Sequence, residues 1–159
     1  MVFSDSSWQD FPGTGRSTDC YFVFYQGVMV DQSIFMPTPV ALSGAEEEYN
    51  TTCTAAMAGA HHRMLYNEFR LLDPDDNHFP VTILLDSQSA QAMGSSFRDS
   101  KHTRHITRRW HYVREGSRDG KHVLVWIDGD LELADIGTKN LDSTGLQPRL
   151  RFMMVTVPN

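Results

Sequence analysis

The run Val81-Thr82-Ile83-Leu84-Leu85, closed by Asp86, constrains this chain more than any other segment. It is apolar but for one β-branched threonine. A short run without polar alternation is what a strand covered on both faces requires. Such strands belong to α/β architectures, with helices packed on a largely buried sheet. Asp86 then falls at the carboxyl end of the strand and just ahead of a short helical segment, Ser87–Met93. That is where open α/β sheets place their sites.

The remaining segments give the order βββαβαβα. Val2–Asp5 is a short strand, and its clipped start is expected of a domain cut from a longer polyprotein. Pro12-Gly13-Thr14-Gly15 is a turn. Cys20–Gln26 and Val28–Met36, parted by Gly27, form a hairpin that Pro37 and Pro39 end. Ser43-Gly44-Ala45-Glu46 is a capping box opening a long helix, with Tyr49, Cys53, Met57, Ala60 and Met64 as its apolar stripe. Pro74 and the run Asp73–Asp76 make a loop. Thr103–Arg118 is a second long helix, Gly120 breaks it, His122–Ile127 is another strand, and Leu133–Lys139 begins a last helix.

A length of 159 residues fits one domain with a real core. Residues 1–141 are expected to form it, with 142–159 as a C-terminal extension. No apolar run approaches the roughly 18 residues of a membrane span, so no membrane partner is expected. There is no basic segment followed by an apolar one to mark a secretory leader. Cys20 and Cys53 lack the CxxC spacing of a zinc site and favour a reducing compartment.

The net charge of −6 is unevenly spread. Arg98, Lys101, Arg104, Arg108, Arg109, Arg114 and Arg118 face only Asp99 and Glu115 in their stretch, a local +5 against −11 for the rest. A basic stretch on an acidic body is an electrostatic footprint for nucleic acid. A solvated helix face is the plainer alternative.

Four acids lie at the edges of apolar runs: Asp5, Glu48, Asp86 and Asp135. Brought together, three Asp and one Glu make an oxygen cage for hard cations such as Mg²⁺ or Mn²⁺. Paired ions of this kind hydrolyse phosphodiesters. Without metal, four such carboxylates repel one another. Each also has a plain structural role available. Asp86 fits the N-cap of the helix behind it, Asp5 a strand-end turn, and Asp135 a helical first turn. Among the three glutamates, Glu46 closes the capping box and Glu47 suits the helix dipole. Glu48 adjoins the stripe beginning at Tyr49. His61-His62 fits a partly exposed surface pair better than a metal site, and His102, His105 and His111 fit phosphate contacts or packing. No HExxH, P-loop or Gly-x-Ser-x-Gly is present.

Six blocks carry a resemblance. They are Ser4-Asp5-Ser6-Ser7-Trp8; Gly15-Arg16-Ser17-Thr18-Asp19-Cys20-Tyr21; Ser43-Gly44-Ala45-Glu46-Glu47-Glu48-Tyr49; Leu85-Asp86-Ser87-Gln88-Ser89-Ala90; Arg104 through Glu115; and Glu132-Leu133-Ala134-Asp135-Ile136-Gly137-Thr138-Lys139. In order, they resemble the SDADW, RRSTSGY, SSTEAEY, CDNxSA, KHIDIRYHFIRE and QLADIFTK blocks of the ribonuclease H domain that ends Copia-type LTR retrotransposon Pol polyproteins. The likeness runs from Ser4 to about Leu141. Thr107, Trp110 and Gly137 depart from it, the last standing where the family has an aromatic residue. The loop Trp126-Ile127-Asp128-Gly129-Asp130 lacks the histidine that many cellular ribonucleases H carry.

The resemblance implies an α/β, ribonuclease H-like fold with a mixed five-stranded sheet, three antiparallel strands and then two parallel ones, flanked by helices. It implies hydrolysis of the RNA strand of RNA–DNA hybrids, with two Mg²⁺ or Mn²⁺ ions held by Asp5, Glu48, Asp86 and Asp135. It implies a reverse transcriptase domain of the same polyprotein as partner, and a cytoplasmic virus-like particle, or the nucleus, as location. Ser6, Ser7, Ser87 and Gln88 are the expected contacts to the RNA 2′-hydroxyl side. Arg104, His105, Arg108, Arg109 and Arg114 are the expected contacts to phosphates. A catalytically silent binding module of the same fold, or a related metal-dependent DNA nuclease, is the alternative.

Overall fold

The structure, a computed structural model, describes residues 1–8, 15–37, 41–72, 79–95 and 107–153, with the side chains of residues 93, 95 and 107–110 left aside. Five strands, β1 (Val2–Ser7), β2 (Thr18–Tyr25), β3 (Val28–Phe35), β4 (Val81–Leu85) and β5 (His122–Trp126), form one sheet in the order β3-β2-β1-β4-β5. β1 pairs with β2 and β2 with β3 antiparallel, whereas β1–β4 and β4–β5 are parallel. The expected mixed sheet is therefore present. Gln26 and Gly27 both take positive φ, 48° and 80°. That is the left-handed pair a tight two-residue hairpin needs, so Gln26 belongs to the turn rather than to the strand.

The helices are α1 (Gly44–Glu68), α2 (Gln88–Ser95), α3 (Thr107–Arg118), α4 (Asp135–Thr138) and α5 (Ser143–Met153), with a 3₁₀ turn at Gly129–Leu131. The expected helix Thr103–Arg118 is described from Thr107 onward. The expected last helix is two pieces, α4 and α5.

The cap of α1 forms as expected on one side: Glu46 N–H donates to Ser43 Oγ at 3.2 Å. The reciprocal bond is displaced by one residue, because Glu46 Oε2 accepts from Leu42 N–H at 2.9 Å. The expected stripe of α1 holds only at its start. Tyr49 and Cys53 are buried, but Met57, Ala60 and Met64 are exposed, and the buried line continues through Ala55, Ala56 and Gly59. Gly59 explains the change of line. A Cβ there would stand 2.6 Å from Val81 Cγ1 and 3.0 Å from Val2 Cγ2, so the helix lies directly on β1 and β4.

Two apolar clusters sandwich the sheet. Val2, Ile83 and Leu85 join Tyr49, Cys53, Ala55 and Ala56 of α1, Ala90 of α2 and Val113 of α3. Their strand neighbours Phe3 and Leu84 join Phe22, Phe24, Leu133 and Ala134. Alternate residues of one strand thus serve opposite layers, each fully buried large side chain stabilising by about 1.5–3 kcal/mol.

The most deeply covered strand is β1 rather than β4. Residues 2–6 of β1 are all buried, whereas Val81 and Thr82 remain partly exposed. β1 also has the more polar sequence, with Ser4, Asp5 and Ser6 in its interior. Both cysteines are free and buried. Among the described residues no helix is long and apolar enough to cross a membrane.

Candidate active site

Sheet register brings the first two acids together. β1 and β4 run parallel, with Val2 opposite Ile83 and Phe3 opposite Leu84. Continuing that register sets Asp5 beside Asp86 at the carboxyl ends of neighbouring central strands. Glu48 comes from the second turn of α1. One carboxylate oxygen from each of Asp5, Glu48 and Asp86 lies within 4.8 Å of the others. Asp5 is almost wholly buried, and Asp5 Oδ1 and Glu48 Oε2 have no hydrogen-bond partner among the described residues. Orphaned buried carboxylate oxygens are costly unless a cation satisfies them.

Asp86 does not cap α2. Ala90 N–H donates to Ser87 Oγ at 3.2 Å, so Ser87 performs that role and leaves the Asp86 carboxylate to the cluster. The backbone of Asp86 is pinned by Trp126, whose indole Nε1–H donates to the Asp86 carbonyl at 2.9 Å. Gly129 sits close by, where a Cβ would stand 3.5 Å from Asp86 Oδ2.

Asp135 lies outside the three-acid group but is joined to it through Lys139. Lys139 Nζ is 3.6 Å from Asp5 Oδ1 and 3.7 Å from Asp86 Oδ2, and it hydrogen-bonds Asp135 Oδ1. The other Asp135 oxygen accepts from Arg149 Nη2 at 2.8 Å. Thr138 Oγ1 donates to Asp5 Oδ2. The cage is thus not bare, as its sequence suggests. Two cationic side chains and one hydroxyl reach into it.

The electrostatics follow from burial. Burial pushes Asp5 up to about 6; the Thr138 bond and Lys139 oppose this, and Asp135 and Asp86 reinforce it. Burial, with Asp5 and Asp86 beside it, pushes Glu48 up to about 9. Glu132, fully buried three residues before Asp135, is likewise pushed by burial to about 9; its Oε1 accepts from Ala134 N–H at 2.9 Å. Burial works against the Lys139 charge, yet Asp135, Asp5 and Asp86 together hold its ammonium above the ordinary lysine range.

Of the expected nucleic-acid contacts, Ser6 is buried in β1, Ser87 is half-buried and Gln88 is exposed at the start of α2. Arg114 is corrected: it is only 8% exposed on α3, packed inward rather than displayed to a phosphate. Its charge reaches the phenol of Tyr49 on α1. Arg104 and His105 lie outside the described residues, as do the side chains of Arg108 and Arg109. His61 is exposed, and half-buried His62 pairs with Asp31 at 3.0 Å, away from the acids.

Sequence reasoning missed Thr138, Lys139 and Arg149. The first two stand inside the quoted block around Asp135, one turn after it. Arg149 follows the last recognised block and carries no sequence signal. Gly137, a departure from the family pattern, has a packing reason. A Cβ there would stand 2.5 Å from Cys20 Sγ, so the short helix carrying Asp135 lies against β2 with no room for an aromatic ring.

No protein-family model matches the chain, and no curated protein matches it significantly. Solved structures do. LC11-RNase H1, isolated from compost by a metagenomic approach, superposes with a TM-score of 0.60 at 13% identity, over 94% of this chain and 96% of that one. The N-terminal RNase H domain of Rv2228c from Mycobacterium tuberculosis gives 0.57 at 11% identity, over 94% of each chain. LC11-RNase H1 in complex with an RNA/DNA hybrid gives 0.57 at 12% identity, over 86% of this chain and 91% of that one. The fold is ribonuclease H-like.

Proposed function

We propose that the protein is an endoribonuclease that hydrolyses the RNA strand of RNA–DNA hybrids with two Mg²⁺ or Mn²⁺ ions. The observation that carries this is the convergence of Asp5, Glu48 and Asp86, from three separate elements, with buried oxygens that lack hydrogen-bond partners among the described residues. The donor set fits the ions: carboxylate oxygens alone, with no sulfur or imidazole, suit hard divalent cations. Asp5, Glu48 and Asp86 would hold one ion. Asp5 and Asp135, already bridged by the Lys139 ammonium, would hold the other. The chemistry two such ions supply is activation of a water and stabilisation of the leaving 3′ oxygen.

The chain's own residues set the rest. Trp126 and the register of β1 with β4 hold Asp86 and Asp5 side by side, so the reacting phosphate meets a preorganised cluster. Ser87 and Gln88 border Asp86 at the surface and are placed to meet the RNA 2′-hydroxyl side; Ser6 lines the strand beside Asp5. Arg104, His105, Arg108 and Arg109 belong to the basic stretch, whose charge suits a sequence-indifferent hold on phosphates. A solved structure of the same fold, LC11-RNase H1, is in complex with an RNA/DNA hybrid, which supports this substrate class. The six ordered blocks support a place in a Copia-type Pol polyprotein, beside a reverse transcriptase domain, in a virus-like particle.

The test is a substrate panel with Mg²⁺: a labelled RNA–DNA hybrid, the same sequence as duplex DNA, and as duplex RNA. Cleavage confined to the RNA of the hybrid is expected. Cleavage of duplex DNA in preference to the hybrid sinks the assignment.

A further inference from the structure

Arg149 is only 7% exposed, deep in α5, yet its guanidinium serves the site rather than its own helix alone. Nε–H donates to the Glu132 carbonyl at 2.8 Å and Nη1–H to the Gly145 carbonyl at 2.9 Å. Nη2–H donates to the Gly129 carbonyl at 2.6 Å and to Asp135 Oδ2 at 2.8 Å. One planar group thus ties together the turn before Asp135, the Asp135 carboxylate and α5.

We propose that Arg149 is a positioning residue for cation binding: by fixing Asp135 Oδ2, it presents Oδ1 alone to the carboxylate cluster and so sets the site's preference among divalent ions. This rests on the cation-binding reading above. The geometry leaves Asp135 one oxygen for the cluster, the one Lys139 now engages. A carboxylate held this way cannot turn to chelate through both oxygens. Mg²⁺ needs near-ideal octahedral geometry with single-oxygen ligands, whereas Ca²⁺ accepts bidentate carboxylates and higher coordination. Guanidinium's fixed fork suits this role, and a lysine ammonium reproduces only part of it.

Charge and geometry separate cleanly in a ratio. Removing a cation from the cluster alters the attraction for Mg²⁺ and Ca²⁺ alike, since both carry the same charge. Freeing Asp135 to rotate alters them differently.

The experiment is titration calorimetry of the full chain with Mg²⁺ and with Ca²⁺, on wild type, Arg149→Met and Arg149→Lys, with folding checked by circular dichroism. Arg149→Met is expected to shift the Ca²⁺-to-Mg²⁺ affinity ratio toward Ca²⁺ by at least about fivefold, with Arg149→Lys in between. Parallel changes that leave the ratio within about twofold overturn the proposal. If Arg149→Met does not fold, Arg149→Lys decides, with a ratio indistinguishable from wild type as the overturning result. A shifted ratio in a chain that cleaves no hybrid keeps the role of Arg149 and removes the ribonuclease reading. Hybrid cleavage with an unmoved ratio does the opposite. A wild type that binds neither ion overturns both.

Discussion

The ammonium of Lys139 stands 3.6 Å from Asp5 Oδ1, a cation just behind the short helix α4 set against the central strand of the sheet. It also meets Asp86 and Asp135, and it is partly exposed, so a route out of the cluster exists. Here the ammonium screens carboxylates that would otherwise repel one another.

Lys139→Met should therefore act in opposite directions with and without metal. The metal-free variant should melt lower by several °C, at about 2–4 °C per kcal/mol for a chain of this size. Its affinity for Mg²⁺ should rise by roughly tenfold, because a like charge a few ångströms away has been removed. Thermal melts in chelator and a Mg²⁺ titration check both. A variant unchanged in both would show that Lys139 is an ordinary surface charge.

Glu46 and Glu48 separate by what their side chains touch. Glu48→Gln should reduce hybrid cleavage by at least about 10²-fold, since an amide is a poor ligand for a hard cation. It should leave the metal-free fold as stable or more so, because burial already favours the neutral side chain there. Glu46→Gln should change neither rate nor stability by much, since an amide oxygen still accepts from Leu42 N–H. Rates and melts of the two variants, side by side, distinguish them. Equal loss of activity in both would remove the special place of Glu48.

Metal-free stability should fall as pH rises. Glu48 is raised to about 9 and Asp5 to about 6, so over the intervening range the folded chain binds more protons than the unfolded one. Stability then decreases with pH, beginning above the unfolded carboxyl values near pH 4 and continuing through about pH 6 for Asp5 and about pH 9 for Glu48. Saturating Mg²⁺ should flatten this slope, because ligand binding requires the ionised forms. Denaturant midpoints across pH 5–9, in chelator and in Mg²⁺, measure it. Stability that rises with pH in chelator would contradict the buried, mutually repelling cluster.

Much of this was legible in the residues. The β4 run and its terminal Asp86, the hairpin and the capped start of α1 follow from local periodicity and turn chemistry, whereas the mixed sheet came from the resemblance of the six blocks, since the parallel pairing of β1, β4 and β5 is not a local property. β1 was harder to read, because Ser4, Asp5 and Ser6, buried in its interior, are polar and leave no apolar run to mark a central strand. The lower part of α1 departs from its apparent stripe because Gly59, which has no side chain to score as apolar, sets the closest approach to the sheet. Arg114 looked like part of a basic surface, since a charge count cannot tell which face of a helix turns inward. Lys139 and Arg149 escaped notice for a related reason. Their role depends on distances to Asp5 and Asp135 that only the folded chain creates.

The most direct measurement is cleavage of a hybrid whose RNA strand is end-labelled, by wild type and by Asp86→Asn, in Mg²⁺ and in chelator. Asp86 shares the cluster with Asp5 and Glu48, caps no helix, and is held in place through its backbone by Trp126, so the substitution removes a ligand and, of the contacts described, only the ion pair with the partly exposed Lys139. Wild type should cut the RNA strand in Mg²⁺ and be inert in chelator, with Asp86→Asn slower by at least about 10³-fold. Undiminished cleavage by Asp86→Asn, or cleavage by wild type in chelator, would contradict the claim that these carboxylates hold the ions that cut RNA.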